Sequence, residues 1–148
     1  ETKDATPFSV ISIGLGGMGA RPGKDGLSTM AFPSGVGAIP VEITEAQSPL
    51  VFWEKVYLPQ SGGAGQWRGG LSQRIVIGTR DGLGFDCSAA TFDRIQNPAQ
   101  GREGGLPGCN GEARRGSGTS LPDKGIHIIE TGDSLVLKLP GGGGFGAP

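Results

Sequence analysis

Residues 9–26 read SVISIGLGGMGARPGKDG, and this stretch decides between a dinucleotide-binding α/β fold and an all-β fold. Gly14, Gly16 and Gly19 match the G-x-G-x-x-G pattern directly after an apolar run. In a dinucleotide fold a helix must begin at the third glycine to receive the pyrophosphate. Pro22 disfavours a helical conformation at the residue before it, and two more glycines follow. We therefore expect neither a helix nor a dinucleotide site here.

Two other interpretations of this loop remain open. The P-loop spacing is not met, because Lys24 is followed by Asp25 rather than by Ser or Thr. Arg21 and Lys24 beside exposed backbone N–H groups could still bind an anion. Alternatively, the glycines allow two backbone segments to approach closely, and we favour this second interpretation.

Glycine and proline are abundant, but the apolar residues are gathered into runs. The chain has 148 residues, of which 30 are glycine and 11 proline. A combined share of about 28% approaches the level typical of disordered chains. Each apolar run, however, is bounded by Gly, Pro or Asp, as strands are. The length predicts one domain over residues 1–148, with 1–13 as a lead-in strand and 140–148 as a glycine-rich tail.

Short apolar runs predict an all-β sandwich or barrel with little helix. No apolar stripe at helical spacing exceeds about ten residues. The predicted strands are Phe8–Ile13, Val41–Glu45, Leu50–Leu58, Gln73–Thr79, Phe85–Phe92, Ile126–Glu130 and Ser134–Leu139.

Three strands allow more detailed predictions. In Leu50–Leu58 both faces are largely apolar, with Val51, Trp53 and Tyr57 on one of them, so we expect cover on both sides. The last two strands are predicted to form a hairpin through the turn sequence ETGDS. The GDSL tetrapeptide in it is similar to an esterase nucleophile block, but Ser134 begins a strand and no triad is supported.

Charge and hydropathy argue against nucleic acid and membrane partners. Thirteen basic residues face fourteen acidic ones, so the chain has no strong net field. The pair Arg114 and Arg115 in GEARR is interpreted as a solvated loop tip. No apolar segment approaches the ~20 residues that span a bilayer, and the N-terminus lacks signal-peptide features. We expect a soluble, cytoplasmic protein.

The residues with catalytic or metal-binding chemistry show no convergent pattern. Cys87 and Cys109 are expected to be free thiols, and a zinc site from them would lack any closely spaced ligand pair. His127 alternates with Ile126 and Ile128 and is placed on the face away from the core. The available acid–base groups are Asp86, Asp93, Glu103, Glu112 and His127.

Four blocks of the sequence resemble the C-terminal region of the B-type subunit of hydantoinases, 5-oxoprolinases and related acetone and acetophenone carboxylases. The blocks are GGMGARPGKDGLSTMAFPSGVGAIPVEITEAQSPL at 16–50, SGGAGQWRGGLSQRIVI at 61–77, LPDKGIHIIETGDSLVLKLPGGGGFGAP at 121–148 and, less closely, DRIQNPAQGREGGLPG at 93–108. Their order and length make this resemblance far more specific than a single glycine motif.

The resemblance implies a role within an ATP-dependent enzyme. In that family an A-type chain with an actin-like ATPase fold phosphorylates the substrate, and the B-type chain completes ring opening or carboxylation. The family's metal-binding His and Asp residues precede the region matched here. We therefore expect no cofactor or metal on this chain, ATP, Mg and a metal ion on partner chains, and a hetero-oligomer. The catalytic residues stay unknown.

Two functions from different classes follow as hypotheses. The first is a non-ATPase structural or substrate-site component of a hydantoin, 5-oxoproline or lactam hydrolase or of a ketone carboxylase. Under it, Arg21, Lys24 and Asp25, and then Arg94, form an anion-binding or intersubunit loop. The alternative is a free-standing β-sandwich that binds a ligand, for which Trp67 in GQWRGG is the aromatic contact candidate.

Overall fold

A computed structural model of the chain describes residues 7–31, 34–89 and 92–148. The predominance of strands confirms the all-β class that the sequence predicts. Within these ranges the elements are one helix, α1 (Val41–Gln47), and six strands, β1 (Leu50–Tyr57), β2 (Gln73–Thr79), β3 (Phe85–Ala89), β4 (Glu112–Arg115), β5 (Gly125–Ile129) and β6 (Leu135–Lys138).

The strands form two open antiparallel sheets. Four strands pair in the order β1-β2-β6-β4, and β3 pairs with β5. Strand β2 is an inner strand of the larger sheet. Its alternating residues Ile75 and Ile77 are both buried, and they lie opposite Leu137 and Leu135 of β6. Ile129 of β5 closes the core from the smaller sheet and has no exposed surface. The architecture is therefore a sandwich of unequal sheets.

Two predicted strands do not form. Residues Val41–Glu45 are part of the helix α1, which begins directly after Pro40. A five-residue apolar alternation is too short to distinguish a strand from a helix. Glu45 then accepts a hydrogen bond from the Phe52 N–H at 2.8 Å, which ties the helix to β1. Of Phe8–Ile13, Val10 packs against the core, but the segment joins neither sheet. Alternation predicts faces and says nothing about pairing.

A bulge in β1 changes which residues share a face. The register with β2 shifts between Phe52 and Glu54, so Trp53 is the extra residue. Beyond it, Lys55 and Tyr57 continue the face of Phe52, and Val56 moves to the other face. Trp53 and Tyr57 are exposed, so the predicted cover on both sides is wrong for the described residues.

Two predictions about the C-terminal half are also corrected. The turn at Glu130–Asp133 forms, but β5 and β6 enter different sheets and do not pair as a hairpin. Arg114 and Arg115 are in β4, paired with Val136 and Leu135 of β6, and are not a loop tip. The turn residues predict a reversal of direction, whereas the partner of each strand depends on distant residues. Of the predicted strand Phe85–Phe92, residues 90 and 91 lie outside the described part.

Four glycine-rich segments outside the sheets form a second structural region, which we call the glycine bundle: residues 14–30, 61–71, 99–111 and 140–147. The segment 140–147 is central, and each successive residue from Pro140 to Phe145 hydrogen-bonds through its backbone to a different neighbour. In order, the pairs are Pro140 with Gly17, Gly141 with Cys109, Gly142 with Gly63, Gly143 with Ala20, Gly144 with Leu106 and Phe145 with Trp67.

The partner segment repeats every three residues: residues 140 and 143 bond to segment 14–30, residues 141 and 144 to 99–111, and residues 142 and 145 to 61–71. A threefold repeat without internal hydrogen bonds is the geometry of a polyproline II helix. Residues 141–144 are all buried, although they have no side chains. A Cβ on Gly142 would overlap the Met18 carbonyl, and one on Gly17 would overlap the Gly70 carbonyl. The close backbone approach that the sequence predicts for this loop is therefore confirmed, and glycine is required for it as at the collagen axis.

Candidate functional site

The predicted polar loop is a tight turn at the end of the glycine bundle. The backbones of Arg21 and Lys24 exchange two hydrogen bonds, at 3.1 and 3.0 Å, across Pro22 and Gly23. Gly23 has φ +79°, as position i+2 of a type II turn requires. Arg21, Lys24 and Asp25 are exposed, and no helix follows the glycines. The turn holds two cationic side chains in solvent.

Asp25 joins this turn to the next segment of the bundle. Its Oδ1 accepts a hydrogen bond from the Arg68 N–H at 2.7 Å, while the Arg68 carbonyl accepts one from the Gly26 N–H at 2.7 Å. Arg102 reaches the same end from a third segment, because its N–H donates to the Gly144 carbonyl at 2.9 Å. Both arginines are exposed. The backbones of four exposed cationic residues from three segments therefore lie at or next to residues bonded to 143–145, and we call this set the basic end: Arg21, Lys24, Arg68 and Arg102.

Sequence reasoning missed two members of the basic end. Arg68 in QWRGG and Arg102 in GREGG each stand beside glycine, which is the only local signal. Their convergence depends on the three-residue repeat of segment 140–147, which brings separate segments to one place. That repeat is visible only in the hydrogen bonds.

Arg94 lies elsewhere along the bundle. Its carbonyl accepts a hydrogen bond from Gly111 at 2.9 Å, and Gly111 is next to Pro140 at the start of the central segment. Arg94 is exposed and adopts φ +57°, an uncommon conformation for a side-chain-bearing residue. Within the described ranges, no hydrogen bond or ion pair joins it to the turn at Arg21. The structure does not bring these predicted residues together.

The ring of Trp67 packs within the molecule. It is half-buried, its ring centroid lies 5.8 Å from that of Phe145, and the two planes are tilted by 53°. The two backbones also exchange hydrogen bonds of 3.0 and 2.9 Å. Trp67 therefore packs two bundle segments together.

His127 lies on the core side of β5, contrary to the expectation. Ile129 enters the core, and residues two apart on a strand share a face, so His127 is buried while Ile126 and Ile128 are exposed. Its ring stacks on Phe92 at 6.0 Å, and its Nε2 has no hydrogen-bond partner among the described residues. Because β5 has isoleucine on both of its faces, the sequence did not indicate which face is buried.

Both cysteines are free, as predicted. Cys87 lies opposite His127 in the β3–β5 pair. Burial raises the pKa of the Cys87 thiol, which keeps it protonated and weakly nucleophilic at neutral pH. In residues 7–31, 34–89 and 92–148, no three His, Cys, Asp or Glu side chains form a group that could hold a metal ion. The described part also contains no helix that could cross a membrane.

The family is established by comparison of the sequence. All 148 residues match the profile described as Hydantoinase B/oxoprolinase. The chain belongs to the hydantoinase B/oxoprolinase family. Relatives include the 5-oxoprolinase PfmaA of Pestalotiopsis fici, which is 31% identical over 90% of this chain and 11% of its own length. The 5-oxoprolinase of Saccharomyces cerevisiae is 31% identical over 71% of this chain and 8% of its own.

Solved structures share the fold of this hydantoinase B/oxoprolinase chain. The ATP-dependent caprolactamase from Pseudomonas jessenii superimposes with a TM-score of 0.72 at 19% identity, over 90% of this chain and 25% of the caprolactamase chain. Nucleotide-free acetone carboxylase gives a TM-score of 0.65 at 20% identity, over 89% of this chain and 22% of its own. The chain thus spans about a quarter or less of the proteins that it matches.

Proposed function

We propose that this chain is a non-ATPase structural and substrate-site component of an ATP-dependent enzyme that hydrolyses cyclic amides or carboxylates ketones. The observation that carries the proposal is the match of the whole chain to the hydantoinase B/oxoprolinase family, although it spans so small a part of each relative. The named neighbours are a 5-oxoprolinase, a caprolactamase and an acetone carboxylase. Cyclic amides and ketones are therefore the substrate classes to test.

The partners in this proposal are the remainder of a B-type subunit and an A-type actin-like ATPase subunit. ATP, Mg and a metal ion would bind to those parts. The exposed apolar side chains on the sandwich and in the N-terminal segment support an assembled state, because large apolar patches usually mark interfaces.

The basic end is proposed as the electrostatic contact with those partners. It carries four exposed cations against the two nearby acids, Asp25 and Glu103. Exposed charges of this kind steer association and set its salt dependence more than they add affinity. An acidic surface on the ATPase or on the rest of the B-type chain would fit it. Arg94 would act separately, as a second contact.

Purification of the native assembly tests this function. The native mass would be measured first, and each co-purifying chain identified by its intact mass. We expect an assembly of several subunits that opens 5-oxoproline or a lactam, or carboxylates acetone, only with ATP. A monodisperse species of 15.0 kDa, folded and without partners, would overturn the proposal.

A further inference from the structure

An apolar groove runs along β1 on the core side of the larger sheet. Its floor includes Phe52, Tyr57 and Ile75, and the N-terminal segment forms one wall with Ile11 and Ile13. Two adjoining cavities share Ala38 and Lys55, and the larger has a volume of about 250 Å³. We call this feature the β1 groove.

Most residues that line the β1 groove are apolar, and several of them remain in solvent. Ile11 is 80% exposed, Ile39 52% and Tyr57 59%. The smaller sheet covers the other part of the same face, where Ile75 and Ile77 are buried beside Ile129. The groove is therefore the uncovered continuation of the core.

Among the described residues that line the groove, Lys55 is the one cation. Lys55 lines both cavities, and none of the described lining residues is acidic. No ion pair within the described ranges involves Lys55, whereas the neighbouring Glu54 is paired with Arg74 at 3.2 Å. Burying an unpaired ammonium is costly, so an occupant that covered Lys55 would need a carboxylate.

We propose that the β1 groove is the docking site for an apolar segment bearing an Asp or Glu from the part of the hydantoinase B fold that this chain does not span. This inference rests on the proposed function. This chain covers 19% of one archaeal relative, from Methanocaldococcus jannaschii, and 25% of the caprolactamase. Most of the family's chain therefore lies outside it and can supply the occupant. The segment completes the core beside Ile75 and pairs its carboxylate with Lys55, whether it lies on the same polypeptide or another.

Site-specific photo-crosslinking in the native assembly tests the groove. A benzophenone amino acid replaces Tyr57 in the groove or, as the control, the exposed Thr119 on the far side of β4. We expect Tyr57 to crosslink to a peptide of hydantoinase B sequence containing Asp or Glu, and Thr119 to give no such product. Crosslinking of Tyr57 to the ATPase, to a second copy of this chain, or to nothing would overturn the groove assignment.

A matched pair of charge reversals provides the second measurement. Lys55→Glu should lower the yield of the Tyr57 crosslink by about tenfold, and Lys124→Glu, on the exposed end before β5, by less than about twofold. If the two variants give equal crosslink yields, or if Tyr57 gives no B-type crosslink in an intact assembly, the groove is refuted and the proposed function stands. If the unmodified chain itself migrates alone, both proposals fail.

Discussion

The sandwich and the glycine bundle fill their interiors with different atoms. In the sandwich, side chains such as Ile75, Ile129 and Leu135 fill the space between two sheets. In the bundle, residues 141–144 are equally buried, and the atoms around them are backbone atoms of neighbouring segments. The comparison teaches that a glycine-rich sequence can specify dense packing, since the missing Cβ lets hydrogen-bonded backbones surround one another.

Replacing a central glycine should have the largest effect. Gly142→Ala places a methyl group on the Met18 carbonyl, and the backbone hydrogen bonds of Gly142 with Gly63 and Gly70 oppose a shift away from it. We expect a loss of about 4 kcal/mol or more, a large part of the roughly 5–15 kcal/mol that stabilises an ordinary domain. Urea denaturation followed by circular dichroism measures it.

Gly37→Ala is the matched control. A Cβ there meets no atom within 4 Å, and its backbone needs no positive φ. It should change the unfolding free energy by less than about 0.5 kcal/mol. Equal stabilities for the two variants would remove the distinction between the bundle and an ordinary loop.

A core truncation in the sandwich should come next in size. Ile129→Ala removes a fully buried side chain and should cost about 3 kcal/mol. Ile126→Ala on the same strand is the control, because Ile126 is 73% exposed and should cost almost nothing in the isolated chain. Similar losses for both would contradict the assignment of one buried and one exposed face to β5.

His127 gives a smaller effect of opposite sign. Its Nε2 is buried without a partner among the described residues, so an apolar residue of similar volume removes a desolvation penalty. His127→Leu should therefore stabilise the fold by about 1 kcal/mol, measured by thermal unfolding. Destabilisation would show that the imidazole makes a necessary contact.

Asp133 should show the smallest effect and a pH signature. Burial alone would raise the pKa of Asp133, but hydrogen bonds from Ser134 and Ser117, with the charge of Arg115, hold that pKa below its usual value. A lowered pKa in the folded state stabilises the fold above the ordinary value of 3.8, and the gain is lost as the pH falls. Asp133→Asn should cost about 0.5 kcal/mol at pH 7, because the group is largely solvated. The cost should vanish in acid, and a cost independent of pH would contradict the charge assignment.

The sequence predicted local features and missed those set by distant partners. The bounds of β2 follow directly from the alternation in QRIVIGT, and the loss of a helix after Gly19 follows from Pro22. The bulge at Trp53 and the inward His127 could not be predicted, because each depends on register with another strand. Arg21 and Lys24 were predicted as a polar loop, but Arg68 joins them only through the Asp25 hydrogen bond.

Amide hydrogen exchange, followed by NMR on the labelled chain, tests most directly whether the glycine bundle is an ordered core. The N–H groups of Gly142 and Gly144 donate to Gly70 and Leu106 at 3.0 and 2.9 Å and are buried. We predict that they exchange as slowly as the amides of Ile75 and Ile77 in β2, since both regions would open only in global unfolding. Exchange of the two glycines at the rate of an unstructured peptide, while β2 stays protected, would contradict this account.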